Sequence, residues 1–127
     1  MTGYIDNIEE KTINNDYFRE VVFTGKYCQL VVMCLKPGEE IGSEVHKNVD
    51  QFFRVEKGRG KVIIDGEENL VINGAGIIVP AGSEHNVINI STSNDLKLYT
   101  IYSPPQHKNG IIHKTKQDAM ADETNHL

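Results

Sequence analysis

Short bursts rich in Val, Ile, Tyr and Phe fill the middle of the chain, and turn-forming residues end each one within four to eight positions. The bursts are EVVFTG (20 to 25), CQLVVMCL (28 to 35), EIGSEVH (40 to 46), QFFRVEK (51 to 57), GKVIID (60 to 65), LVIN (70 to 73), GIIVP (76 to 80), HNVINIS (85 to 91) and LKLYTIYS (96 to 103). Between them stand Lys36-Pro37-Gly38, Gly58-Arg59-Gly60, Asp65-Gly66, Asn73-Gly74-Ala75-Gly76, Pro80-Ala81-Gly82 and Ser93-Asn94-Asp95. β-branched and aromatic residues suit a pleated surface, and Gly, Pro, Asn and Asp suit the turns that join such surfaces. Many short strands at this spacing predict an all-β sandwich, jelly roll or barrel.

The period of two sorts the side chains. If Gln51 faces inward, so do Phe53 and Val55, and Phe52, Arg54 and Glu56 face outward. CQLVVMCL is apolar on both faces, which predicts that its outer side is covered by the chain termini or by a second subunit. A homodimer across sheet faces is the expectation from that strand. Its two cysteines, Cys28 and Cys34, are separated by about 20 Å of extended chain, beyond disulfide reach, and both read as buried, reduced thiols.

The ends differ from the middle. Residues 1 to 19 are polar with scattered apolar positions, an arm that packs on the barrel as a strand or an extended segment. Residues 20 to 103 form the barrel, and residues 104 to 127 form a tail. Within the tail, Lys114 to Ala121 reads as a short helix with Thr115 and Asp118 spaced as a capping pair. His107 and His113 lie beyond the barrel and read as exposed.

Length and charge narrow the possibilities. A chain of 127 residues suits one domain. With 13 Lys and Arg against 18 Asp and Glu, the net charge of −5 gives no general attraction for nucleic acid or an anionic membrane. No apolar run approaches membrane-spanning length, and MTGYIDNIEEK lacks the apolar core of a signal peptide, so a cytoplasmic location is expected.

Two stretches carry chemistry. In GAGIIVPAGSEHNVINIS, a glycine is followed by five residues, Pro80, one residue, Gly82, two residues, His85, three residues and Asn89. Pro80 and Gly82 turn the chain so that His85 opens the next strand. This spacing is that of the second cupin motif, G-x5-P-x-G-x2-H-x3-N. The first cupin motif, G-x5-H-x-H-x3,4-E-x6-G, fits GEEIGSEVHKNVDQFFRVEKG when anchored on Gly38 and Gly58. Glu44 then takes the first histidine place, His46 the second, and Gln51 the glutamate place.

The chain thus resembles the cupin superfamily, and more narrowly the small single-domain cupins similar to mannose-6-phosphate isomerase. The resemblance implies a jelly-roll β-barrel with a short C-terminal helix here, commonly homodimeric, holding one divalent metal. It implies Glu44, His46, Gln51 and His85 as ligands, although Gln51 is as well suited to orienting a water or a histidine. Two imidazoles with a carboxylate suit Zn, Mn, Fe or Ni. Tyr99 and Tyr102 fall on opposite faces of the last strand, so one can line the cavity. Tyr99 joins Glu44 as the candidate for moving a proton. The implied activity is on a small polar molecule, isomerase-like on a sugar or sugar phosphate, with a metal-dependent oxygenase or a non-catalytic ligand-binding cupin as rivals.

Overall fold

The computed structural model describes residues 2–126 and contains ten strands and two short helices. The strands are β1 (Arg19–Thr24), β2 (Gln29–Leu35), β3 (Glu44–Val45), β4 (Asp50–Lys57), β5 (Arg59–Ile64), β6 (Glu67–Ile72), β7 (Gly76–Val79), β8 (Glu84–Asn89), β9 (Leu96–Ser103) and β10 (Ile112–His113). The helices are α1 (Ile8–Ile13) and α2 (Lys116–Ala121). A six-stranded sheet runs β10-β1-β2-β9-β4-β7 and a four-stranded sheet runs β3-β8-β5-β6, all pairs antiparallel. The chain changes sheet at Gly58, at Asn73 to Ala75, at Pro80 to Ser83 and at Ile90 to Asp95, where its turn residues cluster.

Alternation decides which side chains meet between the sheets. On β4 the buried positions are Gln51, Phe53 and Val55, with the intervening residues more exposed. Opposite them, β9 supplies Leu98, Thr100 and Tyr102 in direct register. Phe53, Met33, Leu35, Leu96 and Leu98 are the large apolar side chains at the centre of the core. Gly58 makes one sheet change possible. It sits at φ 106°, and a Cβ there would stand 2.7 Å from the Asp95 carbonyl.

The double-sided apolar strand finds its cover within the chain. Val32 and Cys34, on the outer face of β2, are fully buried, and the segment running from α1 toward β1 packs against β2 and β9. Lys97 fastens this segment. Its ammonium, on a side chain only 7% exposed, donates to the backbone carbonyl of Asn15 and pairs with Asp16 at 2.8 Å. That cover removes the reason for placing a second subunit on this face.

Other expectations change here. The N-terminal arm contains a helix, capped where the Asn7 side chain accepts from the Glu10 amide. The tail contributes β10 to the large sheet through Arg19 and Glu20, and α2 begins at its expected Thr115 cap. Cys28 is exposed, because it lies before β2 at the turn; Cys34 alone is buried. Among the described residues no helix is long and apolar enough to cross a membrane.

Gly58→Ala is expected to lower unfolding stability by about 2 kcal/mol or more, since the new Cβ adds a backbone clash to an unfavourable φ. Urea denaturation of the two proteins measures it.

Candidate metal centre

One end of the barrel collects polar side chains from both sheets. Glu44 on β3 stands opposite His85 on β8, both on the inner face, and His46 follows β3 directly. The turn after β7 holds these pieces together. Gly82 donates its amide to the His46 carbonyl at 2.9 Å, and Ala81 donates to the Asp50 carboxylate at 2.8 Å. Asp50 thus ties the two motif segments to each other across a long sequence separation.

The motif's Asn89, and Asn86 within it, anchor loops. Asn89 donates to the carbonyls of Leu35 and Asn94 and accepts from the Ser91 amide. Asn86 accepts from the Gly42 amide at 2.8 Å and donates to Glu40 at 3.1 Å, which fixes the strand's approach to Glu44.

The structure brings Glu44, His46 and His85 together with Gln51 at this end. The His46 and His85 rings stand 5.4 Å apart at 54°, and His46 Nε2 lies 3.4 Å from a Glu44 carboxylate oxygen. Two donors each about 2.1 Å from one ion at a tetrahedral angle would stand about 3.4 Å apart, so this spacing suits a shared ion. Burial pushes the His46 imidazole below its ordinary pKa, and the Glu44 charge opposes that shift. A neutral imidazole keeps the lone pair that a metal needs. His85 Nδ1 lies 3.3 Å from the Ser83 carbonyl; if it donates there, Nε2 is left as the acceptor nitrogen.

Gln51 supplies the sharpest contrast. It and Gln29 flank Tyr102 across the sheet, one on each side, and both are buried. Gln29 uses its whole amide: it donates to Thr24 and to the His107 carbonyl and accepts from the amides of Gln106 and His107. Gln51 donates to Thr100 at 3.0 Å, but its Oε1 has no partner. A buried, unpartnered amide oxygen costs about 1–3 kcal/mol and is a ready acceptor for an ion or a bound hydroxyl.

By donor type, two imidazoles, a carboxylate and an orphaned amide oxygen fit a divalent metal. Among the described residues, however, no group of three or more His, Cys, Asp or Glu is gathered as a metal site. The set therefore needs the Gln51 oxygen, or a small approach of His85, to close on an ion.

Tyr99 is not part of this cluster. Its ring lies 6.2 Å from that of Phe52, tilted by 51°, on the outer face of the sheet. Tyr102 points inward, 5.9 Å from His46 and 5.2 Å from His107, ring to ring. Burial holds the Tyr102 phenol well above its ordinary pKa, so it stays protonated. The sequence carried a signal for this choice: Leu96, Leu98, Thr100 and Tyr102 share one face, whereas Lys97 and Ser103 lie on the other.

His107 and His113 are buried, at 2% and 4% exposure, because the tail folds back over the open end of the barrel. His107 Nδ1 is 2.6 Å from the Asn125 amide oxygen and its Nε2 is 3.2 Å from the Tyr102 hydroxyl. Nδ1 is then the donor, and Nε2 accepts the Tyr102 proton. His113 contacts Asp122 at 2.9 Å and Arg19 at 3.2 Å. Neither imidazole was readable as part of the site, because their partners come from distant segments.

Comparison with known proteins places the fold in a family. A family model described as "Cupin domain" matches residues 31–102. The uncharacterised protein YrkC of Bacillus subtilis is 46% identical over 126 residues, covering 94% of this chain and 67% of that protein. The uncharacterised protein L612 of Acanthamoeba polyphaga mimivirus is 42% identical over 113 residues, covering 86% and 70%. The crystal structure of BH2720 from Bacillus halodurans superimposes with a TM-score of 0.91 at 42% identity, covering 94% of each chain.

The buried His107 predicts an acid-sensitive fold. Burial, with the Arg19 charge adding to it, pushes this imidazole down to about 3. Its unfolded pKa is about 6.5, so stability is full above that value and drops as pH falls toward the folded pKa, by at most about 1.4 kcal/mol per unit. Urea unfolding below about pH 6.5 is expected to show that decline, and His107→Gln is expected to flatten it.

Proposed function

Because the chain belongs to the cupin family, we propose that the polar end of its barrel holds one divalent metal and acts on a small polar molecule. The observation that carries this is the unpartnered Gln51 Oε1 beside the paired His46 and Glu44. Glu44, His46, His85 and Gln51 would hold the ion. A bound metal supplies Lewis acidity toward a carbonyl or hydroxyl oxygen.

The protein's own groups then have distinct tasks. Glu44, with a side chain 28% exposed, is the group able to take up or release a proton at the solvent side. Tyr102 holds a neutral hydroxyl whose proton is directed at His107, so it positions, presenting its oxygen as an acceptor, rather than transferring a proton. Val79, Val87 and Phe53 close the apolar side of the cluster, which keeps water away from the interior. This arrangement supports isomerase-like chemistry on a polar oxygen-bearing substrate.

Elemental analysis of purified, metal-reconstituted protein tests the reading. Wild type is expected to carry about one divalent ion per chain, with His85→Ala losing it and Glu44→Ala binding it more weakly. Tyr102→Phe is expected to retain the metal in full. A wild-type protein that stays metal-free after reconstitution contradicts the proposal.

A further inference from the structure

The feature left unused by this site is Arg19. It is 7% exposed and points inward from β1, opposite Met33. None of the ion pairs among the described residues includes it. Its Nη1 donates to His113 Nδ1 at 3.2 Å, and the guanidinium lies 5.3 Å from the Phe18 ring centre. Its Nε is buried with no hydrogen-bond partner. The nearest carboxylate in this chain of contacts, Asp122, is one imidazole removed, bonded to His113 instead.

A buried guanidinium with no carboxylate in direct contact is costly, since desolvating a charge is repaid only by close pairing. Arg19 lines a cavity of about 240 Å³ together with Phe18, Lys116, Asp122, Asn125 and His126, the Asp122 carboxylate being taken up by His113. Two of those residues tie the cavity to the barrel end already described. Asn125 bonds His107, and the His126 ring lies 5.2 Å from that of His107, tilted by 55°. The Arg19 charge also acts on Tyr102 and on His107.

We infer that Arg19 is the carboxylate-recognition residue of this protein, and that the substrate is a small organic acid whose carboxylate seats against it in this cavity. A guanidinium presents a planar fork that matches a carboxylate edge to edge. Arg19 and Lys116 set against the Asp122 carboxylate leave the lining with one net positive charge, which balances a single carboxylate, whereas a phosphate brings close to two negative charges. The cavity is also below the usual range for drug-sized ligands, which suits a molecule of a few carbons. The inference rests on the reading of the barrel end as a small-molecule site, but it does not require the metal.

The test uses nuclear magnetic resonance on the nitrogen-labelled full chain after chelation, following the Arg19 Nε–H signal and the Asn125 amide. Pyruvate at millimolar concentration is expected to move both saturably, and its neutral analogue pyruvamide to move neither. Arg19→Gln is expected to weaken the Asn125 response by about 30-fold or more. Met120 is 73% exposed on the same cavity, so Met120→Glu leaves the fold intact and is expected to weaken binding about threefold or more through charge repulsion. Equal responses to pyruvate and pyruvamide, an unchanged response in either variant, or stronger binding of inorganic phosphate would overturn the inference. Loss of metal binding with the pyruvate response intact removes the metal reading alone. Metal binding without a pyruvate response removes this one alone.

Discussion

A small β-barrel can bury polar side chains only if each finds a partner, because an unmet donor or acceptor inside costs as much as several good contacts return. The protein meets that constraint almost everywhere. Gln29 uses every donor and acceptor of its amide, Asn89 joins three segments, and Lys97 is paid off by Asp16 and the Asn15 carbonyl. Among the described residues two buried side-chain atoms stay unmet, Gln51 Oε1 and Arg19 Nε. Gln51 lies at the end of the barrel where Glu44, His46 and His85 collect, and Arg19 lines the neighbouring cavity, joined to that end through Asn125 and His126. The fold's exceptions lie at and beside the proposed site, which is where unpaired groups are expected to serve function.

The two motif segments meet through backbone geometry rather than through their ligands. The tight turn from Pro80 to Ser83 delivers two amides, one to His46 and one to Asp50. That pairing fixes where β8 begins and so where His85 projects. Substituting Glu44 and Gln51 into histidine and glutamate places leaves this frame unchanged, because neither side chain takes part in it. The site can therefore vary its donors without losing its position.

Much of the barrel was legible in the sequence. Alternation on QFFRVEK placed Gln51 inside, and the turn clusters marked the crossings between sheets. What was hidden depended on partners far away in sequence. The six residues of α1 are held by one cap and by packing on β2 and β9, and β10 is two residues long. Neither length gives a readable period. His107 and His113 looked like surface residues because their burial comes from Asn125, Tyr102, Arg19 and Asp122. Of the two tyrosines, the pattern showed that they oppose each other, and only the full face of β9 showed that Tyr102 is the inner one.

The tail completes the site that the motifs begin. It sets His107 against Tyr102 and Asn125 at that end of the barrel, with His107 kept neutral by burial. The central claim is that Gln51 Oε1 is left free to bind an ion shared with His46 and His85. Anomalous diffraction from crystals grown with manganese tests it most directly. The account predicts a single ion within about 2.0–2.3 Å of both imidazoles and of the Gln51 oxygen. An ion seated elsewhere, or a Gln51 amide turned so that its oxygen meets Thr100, would contradict it.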